Sequence, residues 1–371
     1  MRLRSVIIMA TTLMLIGGMA FAGGQGEGDT IKIGVAGPHS GDLSPYGLPT
    51  INAVELVTEQ VNANGGINGR LIELIVEDDQ CAPEVAANTA AKLVSDGVVA
   101  VIGHICSGAT FTALEVYLES DIVAISPSAT NPGLREYENF FRTIGADDAQ
   151  GPTQVEFVVD ELGITSIALL NDKGDYGQGL TDFALAALEE RGIDPVLNEG
   201  ITVGAVDYSA IINRVAAEGA EAVIWGGYHP EASKLVDQMQ SRGLDLVFIG
   251  ADGIYGDAII DLAGEASEGV YASGPTQPSG ALAQEYTELH LEEYGSEPGD
   301  FFMQAVSAML ALVNAIETAG STEYEAIVEA LHSETVATPY GEIGFDDMGD
   351  ATGVGFSVFQ VQDGEWVSVS D

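Results

Sequence analysis

The sequence predicts an α/β protein of two similar lobes, each a doubly wound parallel sheet covered by helices. Three observations carry this expectation. Once an N-terminal leader is set aside, roughly 350 residues remain, more than one core usually supports. Short apolar strands alternate with amphipathic helices along most of the chain, and parallel strands need such crossovers, which cover both sheet faces. Stretches rich in Gly, Pro and Asp at 143–151 and 274–280 interrupt the alternation, as crossings between lobes tend to do.

The leader comes first. Arg2 and Arg4 precede an apolar run over 6–21, and Ala20-Phe21-Ala22 reads as an A-x-A cleavage site. Residues 1–22 are therefore expected to be a signal peptide cleaved after Ala22, and 23–29 (GGQGEGD) a flexible lead-in. Thr11, Thr12, Gly17 and Gly18 interrupt the run, which falls short of the ~20 strongly apolar residues of a membrane span. Cysteine is absent near the cleavage site, so a lipid anchor there is not expected. No later stretch is expected to span a bilayer, and the mature chain should be soluble and exported.

In the first half, strands are expected at 31–35, 71–76, 98–103 and 122–126, alternating with helices at 50–63, 83–95 and 110–119. Gly65-Gly66 ends the first helix. In the second half, helices are expected at 153–162, 179–191, 208–218 and 230–241. Strands are expected at 166–170, 196–201, 222–225, 246–249 and 269–272. Residues 281–332 read as mainly helical, with an apolar helix near 301–316, and 356–361 alternates like a strand.

The charge balance narrows the partners. With 57 acidic and 12 basic residues, the surface repels nucleic acid and anionic lipid. The acids are spread along the chain and not spaced like a calcium loop, so no metal or other cofactor is expected. A solvated acidic surface is the plain reading, and a high-salt habitat, where screening relieves self-repulsion, is our hypothesis for its extent. The two cysteines, Cys81 and Cys106, form an even pair in an exported chain, which points to a disulfide; two free thiols are the alternative. There is no C-x-x-C to suggest redox chemistry.

Ligands of parallel α/β sheets bind outside the carboxyl ends of the strands. After 98–103 comes His104-Ile105-Cys106-Ser107-Gly108, with Ser107 placed as a helix N-cap able to help hold a carboxylate. After 122–126 comes Pro127-Ser128-Ala129-Thr130-Asn131-Pro132, with further hydroxyls and amides; either segment alone reads equally as a plain cap. In the second half, Tyr228 and Asp252 occupy the equivalent strand ends, and Tyr46 and Tyr176 lie in Gly-rich loops. Anion-holding groups on one wall and a carboxylate on the other suit a zwitterion.

Enzyme readings fare poorly. His39, His104, His229, His290 and His332 lack metal-ligand spacing, and neither Gly-x-Ser-x-Gly nor a phosphate loop occurs. His104 lies three residues before Ser107, but a capping hydroxyl makes a poor nucleophile.

The chain strongly resembles the periplasmic branched-chain amino acid (Leu/Ile/Val)-binding proteins of ABC transporters, which have the type I periplasmic binding protein fold. The likeness covers nearly all of the mature sequence. Its segments are IKIGVAGPHSGDLSPYG at 31–47, DDQC at 78–81, IGHICS at 102–107 and ISPSATNP at 125–132. GADDAQGP at 145–152, NDKGDYG at 171–177, GGYHPE at 226–231 and AGEASEG at 263–269 follow.

The resemblance implies two lobes joined by a three-crossover hinge, with residues 30–148 and 275–350 in lobe 1 and 149–274 and 351–371 in lobe 2. It implies a Cys81–Cys106 disulfide, a periplasmic monomer, and permease subunits of an ABC transporter as partners. By motif, Ser107 and Thr130 would bind the ligand's α-carboxylate, while the Ser128 carbonyl and Asp252 would take its ammonium. Tyr46, Ile105, Cys106, Tyr176, Tyr228 and Phe301 would line the side-chain pocket. The family's usual acid at position 252 is Glu, one methylene longer than Asp, so ligand identity turns on this departure. A sensory or regulatory ligand-binding protein of the same fold is the alternative.

Overall fold

A computed structural model describes residues 30–370. The expected signal peptide, its cleavage after Ala22 and the lead-in lie outside the described residues.

The chain builds its first sheet from β1 (Ile31–Gly37), β2 (Ile72–Asp78), β3 (Ala100–Ile102), β4 (Val123–Ser126) and β5 (Phe140–Arg142), all parallel in the order β2-β1-β3-β4-β5. The crossovers are α1 (Ser44–Ala63), α2 (Pro83–Asp96) and α3 (Ser107–Leu118). Ile31, Ile33 and Val35 of β1 pack against α1, whereas Ala36 and Val101 meet α2 and α3 on the opposite face. Burial on both faces explains why these strands read as continuous apolar runs.

The second sheet repeats the plan. After α4 (Asp147–Glu156), which continues into a π-helical turn at Phe157–Glu161, come β6 (Ile167–Asn171), α5 (Asp175–Glu190), β7 (Leu197–Gly200) and α6 (Ser209–Ala217). Next are β8 (Ala222–Gly226), α7 (His229–Ser241), β9 (Val247–Gly250), α8 (Asp257–Ala263) and β10 (Tyr271–Pro275). The chain then returns to the first sheet with α9 (Ala281–Tyr294), α10 (Phe302–Ala319), α11 (Tyr324–Ser333) and the hairpin β11 (Val336–Thr338)–β12 (Gly341–Ile343). It crosses back once more for β13 (Phe356–Gln362) and β14 (Glu365–Ser368). The order of the second sheet is β14-β13-β10-β9-β8-β6-β7. Three crossings thus connect two doubly wound sheets.

Several expectations are corrected. The second sheet is not wholly parallel, because β13 pairs antiparallel with β10 and β14 with β13. Helix α1 begins at Ser44, six residues before the expected start at Thr50, because Pro45 sits in its first turn and Pro49 is accommodated inside it. Likewise α4 starts at Asp147 rather than Thr153, with Pro152 inside it. The three-residue β5 and the short α8 were not anticipated. Helix α10 is long and apolar enough to span a membrane by length and composition, contrary to expectation. Its Ala305, Val306, Ala308, Met309 and Leu312 are instead buried in the core against α1.

Candidate functional site

Each sheet has a switch point where the chain reverses direction across the sheet, between β1 and β3 in one and β6 and β8 in the other. The loops leaving those strands open into the gap between lobes. From the first sheet they deliver Tyr46 after β1, Ile105 and Ser107 after β3, and Ser128 after β4. From the second they deliver Tyr176 after β6, Tyr228 after β8, and Asp252 after β9. These seven residues, with Gly253 and Phe301, line one narrow cavity that the closed lobes leave almost filled, at about 10 Å³.

Close backbone approach positions the aromatic residues. A side chain on Gly47 would strike the Pro38 carbonyl oxygen at 2.2 Å, so only glycine lets α1 start tightly enough to seat Tyr46. The backbones at Gly177 and Gly226 come equally close, which sets Tyr176 and Tyr228 together with ring centroids 5.1 Å apart. The Tyr46 ring lies 5.9 Å from that of Tyr228 and 5.7 Å from that of Phe301. The four rings form one apolar wall, closed by Ile105.

The polar groups sit at the other end. Ser107 is the first residue of α3, not its N-cap; Cys106 holds that position with no side-chain cap. The Ser107 hydroxyl instead accepts from the Asn131 N–H at 3.3 Å, tying α3 to the loop after β4. In that loop Ser128 donates its hydroxyl to the Ile105 carbonyl at 2.9 Å, and the Ser126 hydroxyl accepts from the Ala129 N–H at 2.9 Å. Among the described residues, nothing donates to the Ser128 carbonyl. Buried Arg142 clamps the loop from below, its Nη1 donating to the carbonyls of Ala129 and Asn131 at 3.2 and 3.1 Å while its Nε donates to Asp350 at 2.6 Å.

From the second lobe, Asp252 accepts a hydrogen bond from the Tyr176 hydroxyl at 2.8 Å, and that hydroxyl accepts from the Gly253 N–H at 2.9 Å. Burial pushes the Asp252 carboxyl up to about 6; the bonds from Tyr176 and Gln150 pull the other way. A buried carboxylate with no cation facing it is an electrostatic demand that an ammonium would meet.

Two candidates stand apart from the cavity. Thr130 is fully buried behind its lining, and Cys106 packs beside Tyr46 and Ile105 within the disulfide to Cys81, whose Cα atoms are 5.5 Å apart. His104 is engaged by Asp79 at 2.6 Å and the Tyr117 hydroxyl at 2.9 Å, so its ring is turned into the core and away from Ser107. Gly253 joins the cavity lining, and His229 reaches it through the Tyr46 hydroxyl, without either having been singled out. Both follow strand ends, and His229 stands next to Tyr228, which was the available signal. No group of three or more His, Cys, Asp or Glu side chains among the described residues is placed to hold a metal ion.

Comparisons with known proteins bear on the family and the fold. A model of the periplasmic binding protein family matches residues 30–365. The chain is 37% identical over 347 residues to the leucine-, isoleucine-, valine-, threonine- and alanine-binding protein of Pseudomonas aeruginosa, covering 92% of each. Among solved structures, a leucine-binding protein from Thermotoga maritima superposes with a TM-score of 0.84 at 26% identity, covering 92% of this chain and 98% of that one. A branched-chain amino acid transporter substrate-binding protein from Streptococcus pneumoniae, in complex with isoleucine, gives 0.82 at 25% identity, covering 92% of this chain and 100% of that one.

Proposed function

The chain belongs to the periplasmic binding protein family, and on that premise we propose that it captures a branched-chain or related small apolar amino acid between its lobes and delivers it to an ABC permease. The observation that carries this reading is the composition of one cavity. Ser107 and Ser128 stand on the wall from the first lobe, Asp252 on the wall from the second, and four aromatic rings with Ile105 surround the remainder. Ser107 and Thr130 take the α-carboxylate, with the backbone amides that begin α3. The Ser128 carbonyl and Asp252 take the ammonium, and Tyr46, Ile105, Tyr176, Tyr228 and Phe301 enclose the side chain. Cys106 supports this wall from behind, through the disulfide.

The moving bodies in this proposal are residues 30–148 with 275–350, and 149–274 with 351–371. The buried clusters support the division, since α10 and α11 pack on the first sheet although they follow the second in sequence. Export by cleavage after Ala22 and a monomeric state in the periplasm complete the proposal.

A thermal-shift screen against the common amino acids tests it, because a ligand that binds only the native state raises apparent stability with its affinity. Leucine, isoleucine or valine should give the largest rise. A screen in which none of them raises the midpoint, or in which a charged amino acid leads, would reject the reading.

A further inference from the structure

Beside the amino-acid cavity, and sharing Phe301 with it, lies a much larger space of about 650 Å³ bordered by the 274–280 crossing. Its walls come from both sheets' domains. Tyr255, Gly256 and Asp257 face it from the turn into α8, and Trp366 from β14; Asp300 faces it from the start of α10, and Tyr340 from the turn between β11 and β12. Trp366 is fixed there, its Nε1 donating to the Gly256 carbonyl at 2.9 Å and its ring centroid lying 5.3 Å from that of Tyr255.

The charged side chains on this lining are all acidic: Asp257, Asp300 and Glu365. Asp300 is the unusual one. An aspartate beside a helix start ordinarily accepts from the free amides there. Yet α10 has no side-chain cap, and Asp300 turns across to the other lobe instead. A Cβ on Gly256 would meet its Oδ2 at 2.1 Å and its Oδ1 at 2.4 Å, so only glycine at 256 admits the carboxyl. Among the described residues it has neither a hydrogen-bond partner nor an ion pair. Burial, then the charge of Asp257, push it up to about 8. A withdrawn acid facing a like charge lacks a cation.

We propose that this space is a second ligand site, which takes an aliphatic ammonium ion with its head on Asp300 and its apolar body against Tyr255, Tyr340 and Trp366. Aromatic faces attract an ammonium as well as its hydrocarbon. A metal ion would need several oxygens at once, and no group of three or more His, Cys, Asp or Glu side chains among the described residues is placed to hold one. The volume suits a small organic molecule. Because both lobes supply its walls, an ion bound here favours the closed form, so it tightens amino-acid binding, and the amino acid tightens it by the same factor. The site stands independently of the amino-acid reading above, whereas the coupling rests on it.

Calorimetric titration of n-pentylammonium chloride into the full mature chain tests the site, in about 0.3 M sodium chloride to screen the acidic surface. One ion per chain should bind with a Kd of about 1 mM or tighter, and pentan-1-ol should give no comparable heat. Asp300→Asn should weaken the ammonium by tenfold or more while leaving leucine within about threefold of wild type. No heat, equal binding of the alcohol, or unchanged binding in Asp300→Asn would overturn the site. So would a loss in Asp252→Ala that Asp300→Asn does not share, because the amine would then sit in the amino-acid cavity. If Asp300→Asn does not fold, tryptophan fluorescence decides: the ammonium should change the emission of wild type but not of Trp366→Phe, and the same change in both would overturn the site. Leucine at saturation should tighten the ammonium by about threefold or more. No change there, with leucine bound, overturns the coupling. A chain that binds the ammonium at Asp300 but no amino acid overturns the functional reading and leaves the site standing.

Discussion

The phenolic oxygen of Tyr46 lies 2.5 Å from Nδ1 of His229 and 2.6 Å from the carbonyl oxygen of Gly253, joining α1 of one lobe to two loop ends of the other. His229 extends the link through Nε2 to the Asp42 carbonyl at 3.0 Å, and Asn131 Nδ2 donates to the Asp175 carbonyl at 2.6 Å beside the start of α3. The Tyr46 contacts between the lobes are buried, that of His229 with Asp42 is partly buried, and that of Asn131 with Asp175 is exposed. Tyr46→Phe keeps the ring wall and removes the hydroxyl. It should weaken ligand binding by roughly tenfold, about 1–2 kcal/mol, through faster release, measured by titration and by dissociation kinetics.

Asp252 trades stability for binding. Its folded-state value near 6 lies above the ordinary 3.8, so the ligand-free protein loses stability as pH rises between these values and the buried group must ionise. Asp252→Asn removes that cost, and the ligand-free melting temperature at pH 7 should rise, by the equivalent of up to roughly 3 kcal/mol. The same change should lower amino-acid affinity by about 2 kcal/mol or more, since a charge-assisted bond is lost. In wild type, affinity should fall as pH drops through about 6 and the carboxyl takes up its proton. Thermal unfolding without ligand and titrations on either side of that pH check both halves.

Arg142 is a fully buried cation held by Asp350, and Asp350 is also bonded to Arg135. Asp350→Ala leaves the guanidinium uncompensated and loosens the loop that carries Ser128 and Thr130. A destabilisation of about 3 kcal/mol is expected in urea unfolding, with weaker ligand binding alongside. An unchanged midpoint would show that Arg142 is satisfied by the Ala129 and Asn131 carbonyls alone.

The acid excess, 57 against 12 basic residues, leaves few ion pairs among the described residues. Lys92 with Glu77, Arg191 with Asp160 and Arg214 with Glu199 are exposed pairs that contribute little. Self-repulsion should dominate, so added sodium chloride should raise the thermal midpoint progressively. A midpoint indifferent to salt would end the high-salt explanation of this surface.

Much of the architecture was legible because buried parallel strands and their crossovers leave a periodic trace that turns punctuate. Tyr46, Ile105, Ser107, Ser128, Tyr176, Tyr228 and Asp252 could be named together because each follows a strand end, and the fold gathers them in one cavity. What escaped was set by distant partners. The helix expected from Thr50 begins at Ser44, with Pro45 in its first turn and Pro49 inside it, where Gly47 packs closely on Pro38. Ser107 looked like a cap because its type and place suited one, yet its hydroxyl is drawn away by Asn131. The antiparallel pairing of β13 and β14 depends on the third crossing, which no local pattern records.

The most direct test of a zwitterion site is calorimetric titration with leucine, with the amine left when its carboxylate is removed, and with the acid left when its ammonium is removed. Leucine should bind one to one with a Kd of about 10 μM or tighter, and each truncated ligand roughly a hundredfold more weakly, because each leaves one wall of the cleft unpaired. Equal binding of the acid alone, or no heat with leucine, would contradict the pairing of Ser107 and Ser128 with Asp252 across the cleft.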